Sequence, residues 1–212
     1  RSRVSQVASH PRITVHTGVE VRNTDGFVGN FKTELTDGST LDHGTIIVAT
    51  GGVEYQPTEY LYGESDRVIT QRELEKKIFD GMQPASGERF VMIQCVGSRE
   101  EPNQYCSRIC CQDAVKNAIE IKTRNPHAEV VILYRDMRTY GLREDYYRKA
   151  RELGVIFVRY EVDRKPEVGQ SDGKFRIRTW DYMLNRELTL DADWVGLSTG
   201  LRPHPTTEKT GG

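Results

Sequence analysis

The four cysteines of this chain, Cys95, Cys106, Cys110 and Cys111, lie in one stretch, CVGSREEPNQYCSRICC, with the pattern C-x10-C-x3-C-C. The stretch begins at the end of an apolar strand, Phe90-Val91-Met92-Ile93, and runs into a helical pattern. Four thiols gathered at a strand–helix junction need a joint explanation, and three compete. Four thiolates are the standard ligand set of a [4Fe–4S] cluster. They would also hold a structural zinc. Alternatively they are buried free cysteines that pack as small apolar residues. Zinc sites usually present two C-x2-4-C knuckles, and this chain does not offer the pair. A disulfide framework does not suit a chain this long and this poor in cysteine. The pattern favours the cluster and leaves zinc and packing open.

The surroundings favour the cluster further. The pattern predicts a helix over 107–124, starting at Cys106, with Ile109, Ala114, Val115, Ala118 and Ile119 as its apolar face. Cys106 and Cys110 would then share a face over the first turn. Cys111 would be turned from Cys110 by about a hundred degrees, enough to approach a different iron. The positive end of a helix favours thiolates and an anionic cluster. Arg99 and Arg108 would add to this field, although charged loop residues are more often only solvated.

The rest of the chain sets the frame. Its 212 residues allow one or two domains, and its net charge of -1 gives no electrostatic argument for nucleic acid or a membrane surface. No apolar run approaches a membrane span and no signal peptide is evident, so a cytoplasmic, reducing compartment is expected. Before the cysteines, strands are expected at Ile13–His16, Gly18–Val21 and Phe27–Leu35, with turns at Asp25-Gly26 and Asp37-Gly38. The run Thr45-Ile46-Ile47-Val48-Ala49-Thr50-Gly51-Gly52 reads as a buried strand with a tip open to close approach. Residues 57–88 read as a linker. Thr70 and Glu73 stand at capping-box spacing, so a short helix over Gln71–Asp80 is expected there, stopped by Gly81. Tyr55 and Tyr60 read as exposed loop tyrosines. From 89 to 203 strands and helices alternate, which implies a parallel α/β sheet.

Two resemblances follow from these residues. A β-meander closed by IIVATGG is similar to the two-dinucleotide-binding-domain flavoproteins. That likeness implies FAD contacts at Val21, Ala49, Thr50 and Gly51, and an NAD(P)-binding-like domain from residue 89. The first strand–helix turn departs from it. A dinucleotide site wants G-x-G-x-x-G so that pyrophosphate can approach backbone amides. Here only Gly97 fits, Cys95 takes the first glycine position, and Arg99–Tyr105 lengthens the loop. The acidic residue expected after the second strand would be Asp136, flanked by Arg135 and Arg138. The nucleotide site therefore reads as replaced.

The departure carries the second resemblance. IQCVGSRE, YCSRICC, AEVVILYRDMRTYG and YYRKARELGVIFVR closely resemble the A subunit of the heterodisulfide reductase family. That resemblance implies a [4Fe–4S] cluster on Cys95, Cys106, Cys110 and Cys111, FAD in the full-length protein, and other redox subunits as partners. It implies electron transfer between FAD and the cluster, and no acid–base catalytic residues. The expected fold is a Rossmann-like α/β domain of the pyridine-nucleotide-disulfide oxidoreductase type plus a partial FAD domain. The divisions are 1–56 for the partial FAD domain, 57–88 for the linker, 89–203 for the cysteine-bearing domain and 204–212 for a returning tail. The chain reads as a fragment, inactive by itself. Two other readings remain: an NAD(P)H-dependent disulfide-reductase-like FAD enzyme, and a non-catalytic α/β module with structural cysteines or zinc.

Overall fold

A computed structural model describes residues 2–204 of the chain. They fall into two compact units, Val53–Arg202 and the remainder. The expected tail at 204–212 lies outside the described residues apart from His204.

The smaller unit holds α1 (Arg3–Ala8) and a three-stranded antiparallel meander, β1 (Val21–Phe27), β2 (Asn30–Leu35) and β3 (Thr40–His43). Its first hairpin turns at 28–29, and not at Asp25-Gly26 as expected. Gly26 instead sits inside β1 at φ +110°, where a Cβ would lie 2.1 Å from the Asn30 carbonyl oxygen. Glycine there serves close backbone approach, not the turn. The strands expected at Ile13–His16 and Gly18–Val21 do not form; only Val21 is extended, as the first residue of β1. The run 45–51 does not form a strand either, and Ile46, Ile47 and Val48 are exposed. An apolar run becomes a strand only where neighbouring strands take up its backbone groups. Among the described residues none flanks this one.

The larger unit is built on a five-stranded parallel sheet of β5 (Val68–Thr70), β6 (Arg89–Val96), β7 (Glu129–Tyr134), β8 (Ile156–Arg159) and β12 (Trp194–Thr199). Its order is β5-β12-β6-β7-β8. A second sheet joins β9 (Glu167–Ser171), β10 (Lys174–Asp181) and β11 (Arg186–Ala192), antiparallel throughout. A short pair unites β4 (Gly52–Glu54) with β13 (Leu201–Pro203). The helices are α2 (Gln71–Phe79), α3 (Cys110–Arg124) and α4 (Glu144–Glu152).

Period-two alternation makes this a three-layer core. Phe90, Met92, Val130 and Ile132 face the helices, where Leu74, Ile78, Ala114, Val115, Ala118, Ile121 and Ala150 meet them. Val91, Ile93, Val131 and Leu133 face the other way, onto Phe175, Ile177, Val168 and Leu190 of the antiparallel sheet. Both faces of β6 are covered, so it is apolar at consecutive positions. Burying each of its large side chains stabilises the fold by about 2 kcal/mol.

Residues 68–79 pack into the larger unit. β5 pairs with β12, and Leu74 and Ile78 are buried. The capping box forms as expected: the Thr70 hydroxyl accepts from Glu73 N at 3.3 Å, and the Glu73 carboxylate accepts from Thr70 N at 2.7 Å. No helix among the described residues is long and apolar enough to cross a membrane.

Candidate functional site

In open parallel sheets, ligand sites gather at the carboxyl ends of strands where the strand order reverses. Here the chain leaves β6 toward β7 on one side, while β12 lies on the other. The loop after β6 carries the cysteines to that reversal point.

Cys95 lies near the end of β6 at φ +62°, a left-handed conformation that L-residues adopt only when the surroundings impose it. Two residues on, Gly97 has φ +64°, and a Cβ there would lie 2.2 Å from the Tyr55 ring. Tyr55 is thus half-buried against the loop rather than exposed. The Arg202 guanidinium stacks over the same ring at 4.7 Å and donates to the Gly97 carbonyl at 2.6 Å.

The loop then folds back on itself. Arg99 N donates to the Tyr105 carbonyl and Glu100 N to the Asn103 carbonyl, both at 3.2 Å. The Ser107 hydroxyl accepts from Leu201 N at 2.7 Å, and the Tyr105 hydroxyl donates to the Leu201 carbonyl at 2.8 Å. These bonds tie the loop to the far end of the unit and delay the helix. α3 starts at Cys110, not near Cys106, and Ile109 is exposed. Cys106 therefore stands in the loop and does not share a helical face with Cys110. Cys110 and Cys111 are the first two helical residues, and no side chain caps the turn.

The four thiols nonetheless converge. Cys106 lies close enough to Cys95, Cys110 and Cys111 to raise the cost of ionising each of them, Cys95 does the same to Cys110 and Cys111, and Cys111 to Cys110. All are free. Burial is the first cause that raises three of them: Cys95 is pushed up, Cys111 to about 11 and Cys110 to about 12. Arg99 opposes this at Cys95, lying 3.8 Å from its sulfur. The same guanidinium meets the Asp136 carboxylate at 2.5 Å and holds it below the usual carboxylate range. Arg135 donates to the Arg99 carbonyl at 2.9 Å.

As they stand, the thiols bond to protein groups. Cys110 donates to the Thr199 carbonyl at 3.1 Å, Cys111 reaches the Asp136 carbonyl at 3.7 Å, and the Cys106 sulfur accepts from Arg108 N at 3.3 Å. Among the described residues no three His, Cys, Asp or Glu side chains stand in metal-holding geometry. Side-chain rotation would have to turn the sulfurs onto a shared metal.

The other expected site residues lie elsewhere. Val21 opens β1 and is exposed; Ala49, Thr50 and Gly51 belong to the exposed run before β4. Sequence reasoning missed Arg202, Ser107 and Thr199 as supports of the cysteine loop. For Arg202 the signal is the segment GLRP at the close of the domain, whose role depends on contacts about a hundred residues away.

No protein-family model matches the chain. Among solved structures, L-lysine 6-monooxygenase of Pseudomonas syringae covers 94% of this chain and 56% of its own, with TM-score 0.51 at 13% identity. The FAD-bound cadaverine monooxygenase of Erwinia amylovora covers 91% of this chain and 54% of its own, with TM-score 0.50 at 9% identity. These likenesses are of fold alone: an α/β arrangement shared with FAD-dependent enzymes.

Sequence relatives are nearer. The iron–sulfur A subunit of CoB–CoM heterodisulfide reductase from Methanocaldococcus jannaschii is 41% identical over 189 residues, which is 80% of this chain and 28% of that protein. The A subunit of the H2/formate:CoB–CoM heterodisulfide,ferredoxin reductase of Methanococcus maripaludis is 42% identical over 178 residues, 74% and 26% of the two chains. That of the ferredoxin:CoB–CoM heterodisulfide reductase of Methanosarcina acetivorans is 36% identical over 214 residues, 80% and 26%. By sequence, then, this chain is a relative of the heterodisulfide reductase A subunits, and it spans about a quarter of the length of the relatives it matches.

Proposed function

We propose that this segment is the electron-carrying part of a heterodisulfide reductase A-type oxidoreductase. In this reading Cys95, Cys106, Cys110 and Cys111 hold a [4Fe–4S] cluster, and Val21, Ala49, Thr50 and Gly51 contribute to an FAD site in the whole protein. The whole protein works in the cytoplasm within a multi-subunit redox complex. The sequence division at 1–56, 57–88, 89–203 and 204–212 belongs to the same proposal.

One observation carries the reading: four free thiols come from a strand tip, a loop and a helix start at the carboxyl end of β6, and burial makes the ionised forms of Cys95, Cys110 and Cys111 costly. A set of neutral buried thiols would be an ordinary core. This one lies beside Arg99 and Arg135 and opens a helix with an uncapped, positive end. The donor set matches what an iron–sulfur cluster uses. When bound, such a cluster supplies a one-electron relay that complements the two-electron chemistry of a flavin.

The chain's own residues prepare the place. Arg99 bridges Cys95 to Asp136, so the positive charge nearest the thiols is fixed rather than mobile. Tyr105, Ser107 and Arg202 pin the loop to the strand end beside Thr199. Burial limits water at the sulfurs, a main control on the potential of such a centre.

A nucleotide reading is disfavoured by Tyr55. Its ring packs directly against Gly97, the one glycine that matches the dinucleotide motif and the place where backbone would have to stay open to a pyrophosphate. The test is an anaerobic preparation examined by absorption and electron paramagnetic resonance. A brown protein with a reducible cluster signal supports the reading. Stoichiometric zinc with no acid-labile sulfide contradicts it. Micromolar NADH or NADPH affinity, abolished by changing Gly97 or Ser98, would favour the disulfide-reductase alternative instead.

A further inference from the structure

A cavity of about 440 Å³ lies on the antiparallel-sheet side of Cys95. Its size is that of a small-molecule site. The metal reading makes no use of it.

Backbone strain is concentrated on its walls. Tyr60 has φ +59°, Leu61 has φ +66° and Cys95 has φ +62°. All three line this one cavity, with Gly97 beside them. Such conformations persist only where the surroundings over-determine them, and they cluster where a ligand is held.

Two phenol rings form part of the wall. Tyr160 is buried and fixed by its hydroxyl, which donates to the Gln94 carbonyl at 2.5 Å. Tyr60 is half-buried. Burial, together with the Glu100 and Glu59 carboxylates at Tyr60, raises both phenols above their ordinary range, so both stay neutral. Leu61, Val96, Val162, Pro166 and Val168 add the apolar part of the wall.

The charges select the ligand's sign. Glu59, Glu64, Glu100 and Glu167 line the cavity against Arg135 and Lys165. Both cations are engaged within the fold: Arg135 donates to the Arg99 carbonyl and Lys165 pairs with Glu100. Glu167 pairs with Arg178, and Glu59 accepts from Thr58 N at 2.8 Å. The Glu64 carboxylate has no such partner among the described residues. A phosphate-bearing ligand would meet an excess of carboxylate, with Lys165 already paired to Glu100 and Arg135 the one cation of the lining facing the remaining carboxylates.

We propose that this cavity binds a planar aromatic cation against Tyr60 and Tyr160, its charge facing Glu64, within reach of Cys95. The site belongs to the chain itself and does not depend on a metal being held by the cysteines.

The probe is methyl viologen, a flat dication, compared with its sulfonated zwitterionic analogue on the same ring system. Binding is measured by calorimetry on the 212-residue chain, before and after anaerobic reconstitution with iron and sulfide. The expected result is saturable one-to-one binding of methyl viologen in both preparations, and binding of the zwitterion weaker by about tenfold or more. Glu64→Lys should weaken methyl viologen by a similar factor, while its circular dichroism and iron content match the parent chain. Tyr60→Leu provides a second variant, which should weaken both dyes by removing the ring. Equal affinity for the two dyes, or full affinity in Glu64→Lys, overturns the assignment. Iron content is read separately in the same samples, so loss of the metal reading and loss of this site are distinguishable.

Discussion

Two stretches of this chain look alike on paper and end differently. Residues 45–51 and 89–97 are both apolar runs that finish on a glycine. The second becomes β6, the centre of the parallel sheet, with Phe90, Val91, Met92 and Ile93 all at most 1% exposed. In the first, Ile47 is 89% exposed and no strand forms. The two glycines match even in backbone, Gly51 at φ +70° and Gly97 at φ +64°. What differs is company. β6 has β12 and β7 on its two edges and a layer on each face. The other run has no strand beside it among the described residues. An apolar run states a capacity for burial, and its neighbours decide whether that capacity is used.

The sharpest way to break this comparison is truncation. Phe90→Ala should cost about 3–5 kcal/mol of unfolding free energy, since it leaves a cavity between β6 and the helices. Ile47→Ala should change stability by about 0.5 kcal/mol or less. Urea or guanidinium denaturation of both variants measures the difference. Similar losses in the two would mean that the exposed run is packed in solution.

The glycines give the next test. Gly97→Ala meets two obstacles, a positive φ and the Tyr55 ring at 2.2 Å. Gly51→Ala meets only the first, because no described atom lies within 4 Å of its added carbon. Gly51→Ala should cost about 1 kcal/mol and Gly97→Ala clearly more, about 2 kcal/mol. Replacing Tyr55 by Ala in the Gly97→Ala background should recover part of the difference. No recovery would remove Tyr55 from the account of the loop.

The smallest effect belongs to the meander that precedes the exposed run. The Asp37 carboxylate accepts from the Ser39 hydroxyl at 2.6 Å and from Ser39 N at 2.9 Å. These bonds hold it below its ordinary 3.8. A depressed carboxyl contributes stability above that ordinary value and loses it as pH falls through the lower, folded one. Carbon-detected titration of Asp37 by nuclear magnetic resonance should therefore give a midpoint below 3.8. Ser39→Ala should move the midpoint back up. An unshifted midpoint in the parent chain would contradict the turn geometry.

How much of this can be read from residues alone varies with the range of the contacts involved. The parallel unit is legible, because the continuous apolar runs of β6 and β7 and the stops at Asn125-Pro126 and Gly154 are local signals. The capping box at Thr70 and Glu73 is legible for the same reason. The start of α3 is not. Three residues of expected helix are held in the loop by Ser107 bonding to Leu201, and no local pattern reports a partner that distant. The hairpin at 28–29 escapes a local reading because Gly26 looks like a turn glycine, when its role is to admit the Asn30 carbonyl. At the candidate site, what can be read from spacing is that all four cysteines fall in one stretch between a strand and a helix. The carbonyls of Thr199 and Asp136 beside Cys110 and Cys111 are not, since they come from beyond the loop, at the ends of other strands.

The central claim is that all four cysteines hold one [4Fe–4S] cluster. Its most direct test counts iron and acid-labile sulfide after anaerobic reconstitution of the parent chain and of Cys95→Ala, Cys106→Ala, Cys110→Ala and Cys111→Ala. The account predicts about four irons and four sulfides in the parent. It predicts a loss of content, or conversion to a three-iron signal in electron paramagnetic resonance, in each variant, with Cys110 and Cys111 failing independently. An unchanged four-iron signal in any one variant would contradict the assignment at that position, and a parent chain that takes up only zinc would contradict the claim as a whole.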